Sequence, residues 1–253
     1  MSRVLPWLGT LAILLALLGA WWLYTAVGDV DPLLLPSPPD VAEALWDDRA
    51  LLWDDFTVTA GEVLLGMLIA GLAGFALPIA LHLSLPLRRS VYPLLIASQA
   101  IPIVIFGPLL VAWLGYGLAP KLVIVSLVAF FPIVVTTLDA LSRVDPEQVK
   151  LMRTLDASRL RILRHVELPA ALPGLFSGAK VGVAVAVIGA VFAEYAGSSE
   201  GLGHLILQAI PQLETARAWA AVIVLAAFAV ALFYALDWAQ RLLVPWTRTE
   251  RTS

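Results

Sequence analysis

The stretch Asp145-Pro146-Glu147-Gln148-Val149-Lys150-Leu151-Met152-Arg153-Thr154-Leu155-Asp156-Ala157-Ser158-Arg159-Leu160-Arg161-Ile162-Leu163-Arg164-His165-Val166-Glu167-Leu168-Pro169 decides how this chain is read. It is the one long basic run in an otherwise apolar sequence. It opens as a helix start, with Asp145 as N-cap, Pro146 at the first helical position and Gln148 at the capping-box place. That helix is predicted to run to about Leu155. Asp156 then falls at a turn, where Asp tolerates the left-handed region better than most residues that carry a side chain. A second short helix is predicted from near Ser158, with Arg161, Arg164 and His165 on one face at spacings of three and four. Pro169 and Pro173 are expected to redirect the chain afterwards. Two short helices joined by a turn make a knob; the same charges also suit a loop held by anionic lipid headgroups.

Outside this run the composition points to a membrane. Hydrophobic residues make up 60% of the 253 residues and charged ones 14%, and the mean hydropathy is +0.90. That leaves too little polar surface for a soluble domain of this size. Cysteine is absent, which excludes disulfides and thiolate metal sites. A spanning helix needs roughly 20 mainly apolar residues. Six segments qualify: about 4–24, 57–81, 90–114, 121–141, 177–195 and 218–236. The expectation is an all-α integral membrane protein of one domain, residues 1–253, with a cytoplasmic loop over 142–176. Trp21, Trp22 and Tyr24 close the first segment where a signal peptide would have its cleavage site, and read as an interfacial belt of a retained helix.

Charge sets the expected orientation. With the N-terminus inside, all of the 16 Lys and Arg residues except Arg49, Lys121 and Arg217 fall on the cytoplasmic side, as positive-inside topology demands. Both termini are then cytoplasmic. The first outer loop, 28–55, is Pro-rich and then acidic. Within it Val41–Trp53 has the apolar spacing of a helix lying on the membrane surface or of a solvated connector.

Two spanning segments carry unusual residues. The third holds Pro93, Pro102 and Pro108 and is predicted to be a kinked helix packed inside protein. Gln99, just before the Pro102 kink, can hydrogen-bond a polar substrate or a freed backbone carbonyl. The fifth has Gly178, Gly182, Ala186 and Ala190 on one face, continued by Glu194; small residues four apart allow close approach of another backbone. Glu62 and Glu194 are ionisable residues inside spans, which default to functional roles. An ion-coupled secondary transporter using these two carboxylates, and a membrane scaffold, are the competing classes. No internal repeat of the secondary-transporter kind is evident.

Catalytic signatures are missing. The three lysines follow Pro120, Val149 and Ala179, so there is no phosphate-cradling Gly-Lys-Ser/Thr loop. His82, His165 and His204 lack metal-ligand spacing, and neither Gly-x-Ser-x-Gly nor His-Glu-x-x-His occurs. The expectation is a non-enzyme with no cofactor or metal of its own and no nucleic-acid partner.

The basic loop resembles the signature loop of ATP-binding-cassette (ABC) importer permeases: Glu-Ala-Ala, three residues, Gly, nine residues, an aliphatic, any residue, Leu-Pro. Here Lys150-Leu151-Met152, Asp156, Val166 and Leu168-Pro169 stand at those places, so the spacing is kept and the letters partly. The runs Ala100-Ile101-Pro102, Gly107-Pro108-Leu109-Leu110, Trp113–Gly117 with Lys121, and Gly197–Gly203 are similar to permeases of the nitrate, sulfonate and taurine group. Leu151–Leu155, Leu172–Gly178 and Ile188–Val191 with Glu194 look closest to a branch associated with hydroxymethylpyrimidine-type thiamine precursors. The resemblance implies a type I importer permease with cytoplasmic coupling helices, working as a homodimer in the inner membrane. It implies two ATPase subunits that hold ATP and Mg and an external binding protein that delivers substrate. Leu155, Asp156, Ala157, Ser158, Arg161, Arg164, Leu168 and Pro169 would dock the ATPase; Gln99, Gly182, Ala186, Ala190 and Glu194 would belong to the pathway.

Overall fold

The computed structural model describes residues 5–28 and 30–246; Val4 and three of the counted cations, Arg3, Arg248 and Arg251, lie outside the described residues. Every regular element among the described residues is a helix. Contacts divide the chain into two compact units, Met1–Val58 with Glu200–Ala226, and Thr59–Ser199 with Ala227–Ser253.

The first unit holds α1 (Leu5–Val27), α2 (Pro38–Asp47), the start of α3 (Arg49–Leu83), α10 (Leu202–Ala209) and the start of α11 (Thr215–Leu243). Helix α2 takes up the first part of the 41–53 stretch whose spacing is helical, while residues 49–53 form the start of α3. Ser37 and Asp40 form a reciprocal capping box at its N-terminus, Val41 is buried and Trp46 exposed. Trp21 stacks near Trp219, ring centres 5.4 Å apart, and its indole donates to Pro36 O. Arg217 Nε donates to Asp48 at 2.7 Å and its guanidinium also pairs with Glu214. Helix α10 was not anticipated: Gly197–Gly203 reads in sequence as a connection, yet apolar residues beyond it bury Leu202, Leu205 and Ile206.

The second unit is organised around α6 (Leu118–Ser142) and α9 (Leu168–Tyr195). They run antiparallel with backbones almost touching. A Cβ on Gly174 would lie 2.6 Å from Ala140 Cβ, and one on Gly189 2.7 Å from a Val128 methyl. Gly178 abuts the Ile133 and Pro132 backbone and the Thr136 hydroxyl. Gly182, Ala186 and Ala190 are buried in the same seam, so the small-residue stripe of the fifth segment is a helix-packing face in this state. Helix α3 lies parallel to α6 on another side, through Gly66 against Val125 and Gly74 against Ile133. Leu110, Ile124 and Ala193 seal the contact with α5 (Ile103–Leu114).

Among the described residues five helices are long and apolar enough to span a bilayer. The third expected span is the exception: it is two helices, α4 (Leu85–Ser98) and α5, rather than one kinked helix. Gln99 and Ala100 close three-residue bonds to Ile96 and Ala97. Pro102 then offers no donor and disfavours the helical region at Ile101. Nor is the segment's first half wrapped by its own chain, since α4 buries no residue, whereas α5 packs through Leu110. The fifth span also begins earlier than expected. Helix α8 (Arg159–Ile162) passes through a π turn (Leu163–Glu167) straight into α9, so residues 168–176 are helix rather than loop. The Leu168 N–H bonds to Leu163 O, five residues back. Pro169 follows at a helix-start position that its fixed φ suits, so neither it nor Pro173 redirects the chain.

The seam between α6 and α9 predicts different outcomes for neighbouring glycines. Gly178→Ala should lower stability by about 1–3 kcal/mol through overpacking against backbone atoms. Gly182→Ala, whose nearest neighbour would be Ala129 O at 3.4 Å, should be near neutral. Thermal unfolding of the two variants in detergent checks the contrast.

Candidate functional site

Three features of the second unit are candidates for function: a buried ionic network, the basic knob, and the broken helix.

The network sits where α3, α6 and α9 converge. Lys121, in the first turn of α6, donates from Nζ to Glu62 Oε1 and to Ser198 Oγ, each at 2.6 Å. Thr59, one turn before Glu62 on α3, donates to Glu194 Oε1 at 2.6 Å. Glu62 and Glu194 are both about 1% exposed, and Lys121 is 8% exposed. One ammonium and four side-chain oxygens thus tie α3, α6, α9 and the turn after it. A buried carboxylate is tolerable only when paired and hydrogen-bonded, which explains a lysine at this depth. Glu62 and Glu194 were legible as ionisable residues in apolar helices. Thr59, Ser198 and the pairing with Lys121 were not, because nothing in local spacing joins positions 59 and 194. Beside the network a cavity of about 520 Å³ is lined by Tyr116, Gly117, Lys121 and Gly197 through Ser199.

The knob is built as its sequence suggests, with one refinement. Helix α7 (Pro146–Thr154) is capped by Asp145, whose carboxylate accepts from the Glu147 N–H rather than forming a box with Gln148. It ends in a Schellman turn: Ala157 N–H bonds Met152 O and Asp156 N–H bonds Arg153 O. Asp156 occupies the left-handed position, φ +53°, where glycine is the usual residue. Ser158 then caps α8 by accepting from the Arg161 N–H. The turn leaves Leu151, Leu155 and Leu160 62%, 67% and 71% exposed, with Arg161, Arg164 and His165 also at the surface. Ala157 is half-buried, and Leu168 and Pro169 are partly buried at the start of α9.

Gln99 lies in the break between α4 and α5, exposed, its amide donating to Ser98 Oγ at 3.3 Å. The bond to a freed carbonyl that the sequence allowed is not made. Gly182, Ala186, Ala190 and Glu194 are buried, so they border no open passage in this state. Among the described residues no group of His, Cys, Asp and Glu is arranged to hold a metal.

Residues 62–249 match the family model of the binding-protein-dependent transport system inner membrane component. A Haemophilus influenzae protein named as a probable ABC transporter permease is 37% identical over 90% of this chain and 93% of its own length. The formylaminopyrimidine transport permease of Halalkalibacterium halodurans is 30% identical, covering 87% of this chain and 88% of that protein. The riboflavin transport system permease of Chloroflexus aurantiacus is 34% identical over 95% and 91% of the two chains. Among solved structures, an amino acid ABC transporter matches with a TM-score of 0.61 at 15% identity, over 79% of this chain and 96% of that one. An inward-facing methionine ABC transporter matches with a TM-score of 0.58 at 21% identity, over 79% and 96%. These two likenesses concern the fold, that of type I importer permeases.

The network yields a test of its own. Lys121→Met strands the buried Glu62 carboxyl and should cost about 3–5 kcal/mol, as loss of one partner of a buried pair does. Adding Glu62→Gln should restore part of that loss. Thermal unfolding of the single and double variants measures both.

Proposed function

Since the chain belongs to the family of binding-protein-dependent transport system inner membrane components, we propose that two copies of it form the pathway of an ATP-driven importer, each gripping an ATPase subunit through the 145–169 knob. The family makes it a multi-pass permease of the inner membrane with no ATPase of its own. The observation that carries the docking reading is the knob itself. Leucines at 151, 155 and 160 stand exposed around a rigid turn and are flanked by arginines. A loop that only met lipid headgroups would need the charges but not that apolar crest.

The knob, and with it both termini, would face the cytoplasm. The charge asymmetry supports this, and so do its three exceptions. Lys121 is paired with Glu62 and Arg217 with Asp48. Arg49 donates to Trp46 O and lies 4.9 Å from that ring centre. ATP-driven closure of the two motor subunits would draw the knobs together and swing α9 against α6, from an inward-facing to an outward-facing pathway. The small-residue seam gives the moving helix room to slide. An external binding protein would deliver the substrate.

The pathway is best sought at the broken third span. Irregular backbone at membrane depth is tolerated where protein covers it or where it borders water. Residues 98–102 are exposed in the single chain, which suits a position beside the passage and the second copy. Gln99 would there meet a polar solute. The buried Glu62 and Glu194 are better read as part of the helix-tying network than as ion carriers, since Lys121 already supplies the countercharge.

For the substrate, a small polar or anionic solute and specifically a pyrimidine thiamine precursor is our reading. It is supported by the residue runs around Leu151–Leu155 and Leu172–Gly178 and by the formylaminopyrimidine permease among the relatives. A taurine or sulfonate solute is the second reading, favoured by the Escherichia coli taurine permease, 31% identical over 94% of this chain and 88% of its own.

Leu155→Glu should abolish copurification of the ATPase while the permease still inserts, whereas Asp156→Gly should keep assembly, because glycine relieves the left-handed turn. Retained assembly with Leu155→Glu would sink the docking reading. Uptake of labelled formylaminopyrimidine and taurine by vesicles carrying the whole complex decides between the substrates.

A further inference from the structure

Glu167 occupies the free place in the closing pattern of the loop, between Val166 and Leu168-Pro169, where the pattern itself asks for nothing. The structure nevertheless buries it, 3% exposed, at the end of the π turn. Its Oε1 is 2.5 Å from Arg159 Nη1 and 3.3 Å from His82 Nε2. The histidine contact is close enough for charge attraction but misaligned for a hydrogen bond, and Oε2 has no partner in the chain. Arg159 opens α8, the second helix of the knob, and His82 lies in the last turn of α3. One carboxylate therefore touches the knob and a second spanning helix while sitting at the base of a third, α9.

We propose that Glu167 is a positioning residue that transmits movement of the knob to α3 as well as to α9, a reading that rests on the knob being the docking site. The covalent route from knob to α9 is plain, since α8, the π turn and α9 are continuous. No comparable covalent route leads from the knob to α3, whose polar ties to α9 and α6 at Thr59 and Glu62 lie about twenty residues from His82. The seams of α3 with α6, at Gly66 and Gly74, are apolar close contacts that permit sliding. The charge-assisted bond from Arg159 and the burial of the carboxylate fix Glu167 to the knob, and its 3.3 Å contact with His82 Nε2 is what reaches α3. Helix α3 then carries the displacement along its axis, because Glu62 is twenty positions from His82, about 30 Å at 1.5 Å per residue. At that far end the Glu62–Lys121 pair joins α3 to α6. The π turn is part of the device. Its extra residue sets the direction in which Glu167 points relative to α9, and π turns concentrate at functional positions.

The test uses the full complex of permease, ATPase and binding protein, with spin labels on cysteines placed at Ala80 and Glu147; the chain has no cysteine of its own. Both sites are exposed. With Glu167 intact, the 80–147 distance should stay the same, with a narrow distribution, with and without ATP and vanadate. Glu167→Ala should make that distance nucleotide-dependent and broaden it, and should lower binding-protein-stimulated ATPase activity several-fold while the ATPase stays bound. Arg159→Met, which breaks the contact from its exposed side, should do the same if Glu167→Ala fails to fold. Glu167→Gln keeps an acceptor for Arg159 and should restore the narrow distance. A purely structural carboxylate would affect stability alone, so unchanged distances in folded Glu167→Ala or Arg159→Met complexes overturn the proposal. Loss of the docking reading is seen separately, as ATPase retained by Leu155→Glu.

Discussion

The close approach of α6 and α9 is the contact from which the second unit is built. Lipid supplies no hydrophobic force to push two apolar helices together, so their association rests on fit and on backbone proximity. Gly174, Gly178 and Gly189 provide it, each meeting atoms of α6 that a side chain would displace. Helix α3 uses the same device at Gly66 and Gly74. Pro132 lies in this seam, and the Thr136 hydroxyl donates to its carbonyl at 2.8 Å, a polar bond within the helix where the proline removes one. Such a seam is firm across the helix axes and permissive along them.

Against that apolar background the few buried charges act as fixed points. The Lys121–Glu62 pair lies in the first half of α3 and the Glu167 contact with His82 in its last turn. On α9, Lys180 bonds to Asp237 of α11 at 2.6 Å. The Lys121–Glu62 pair, which is buried, is costly to form from separated ions but also costly to break; the Lys180–Asp237 pair is only partly buried. They contribute register and attachment more than net stability. An apolar face can slide by a fraction of a turn with little loss, whereas a salt-bridged helix cannot. A machine that must move helices while keeping their order can use both kinds of contact, and this chain keeps them in separate places.

The knob shows how a family pattern can change letters and keep its physics. The turn after α7 needs a left-handed residue, and the Schellman bonds from Asp156 and Ala157 show the turn fully formed with aspartate there. Glycine would adopt the same angles without a Cβ penalty. The spacing to Leu168-Pro169 survives because it measures the length of α8 and the π turn. Leu213, the only other non-glycine with positive φ among the described residues, closes α10 by the same hydrogen-bond scheme through Glu214 N–H and Ala209 O. Two turns in one chain thus accept a residue that the backbone does not favour.

By itself the sequence determined much of what depends on local pattern, though not α10 or the helical stretch over residues 168–176. Apolar runs of spanning length gave the long helices, and Asp145-Pro146 and Ser158 gave the two starts of the knob. Glu62 and Glu194 stood out because carboxylates in apolar helices are rare. Several features were settled only by tertiary structure. The pairing of Lys121 with Glu62, and of Thr59 with Glu194, joins positions up to 135 residues apart. The stripe from Gly178 to Ala190 could face a passage or a neighbour, and packing against α6 chose the neighbour. The third span was expected to bend and instead breaks, because Gln99 and Ala100 turn tightly before Pro102 can be accommodated. The fifth was expected to start after two prolines and instead runs through them, because the π turn takes up the register. Local propensity and spacing are properties of a few consecutive residues and so can be read along a chain. Which faces meet depends on how whole helices fit together, and in a uniformly apolar sequence that information exists only in three dimensions.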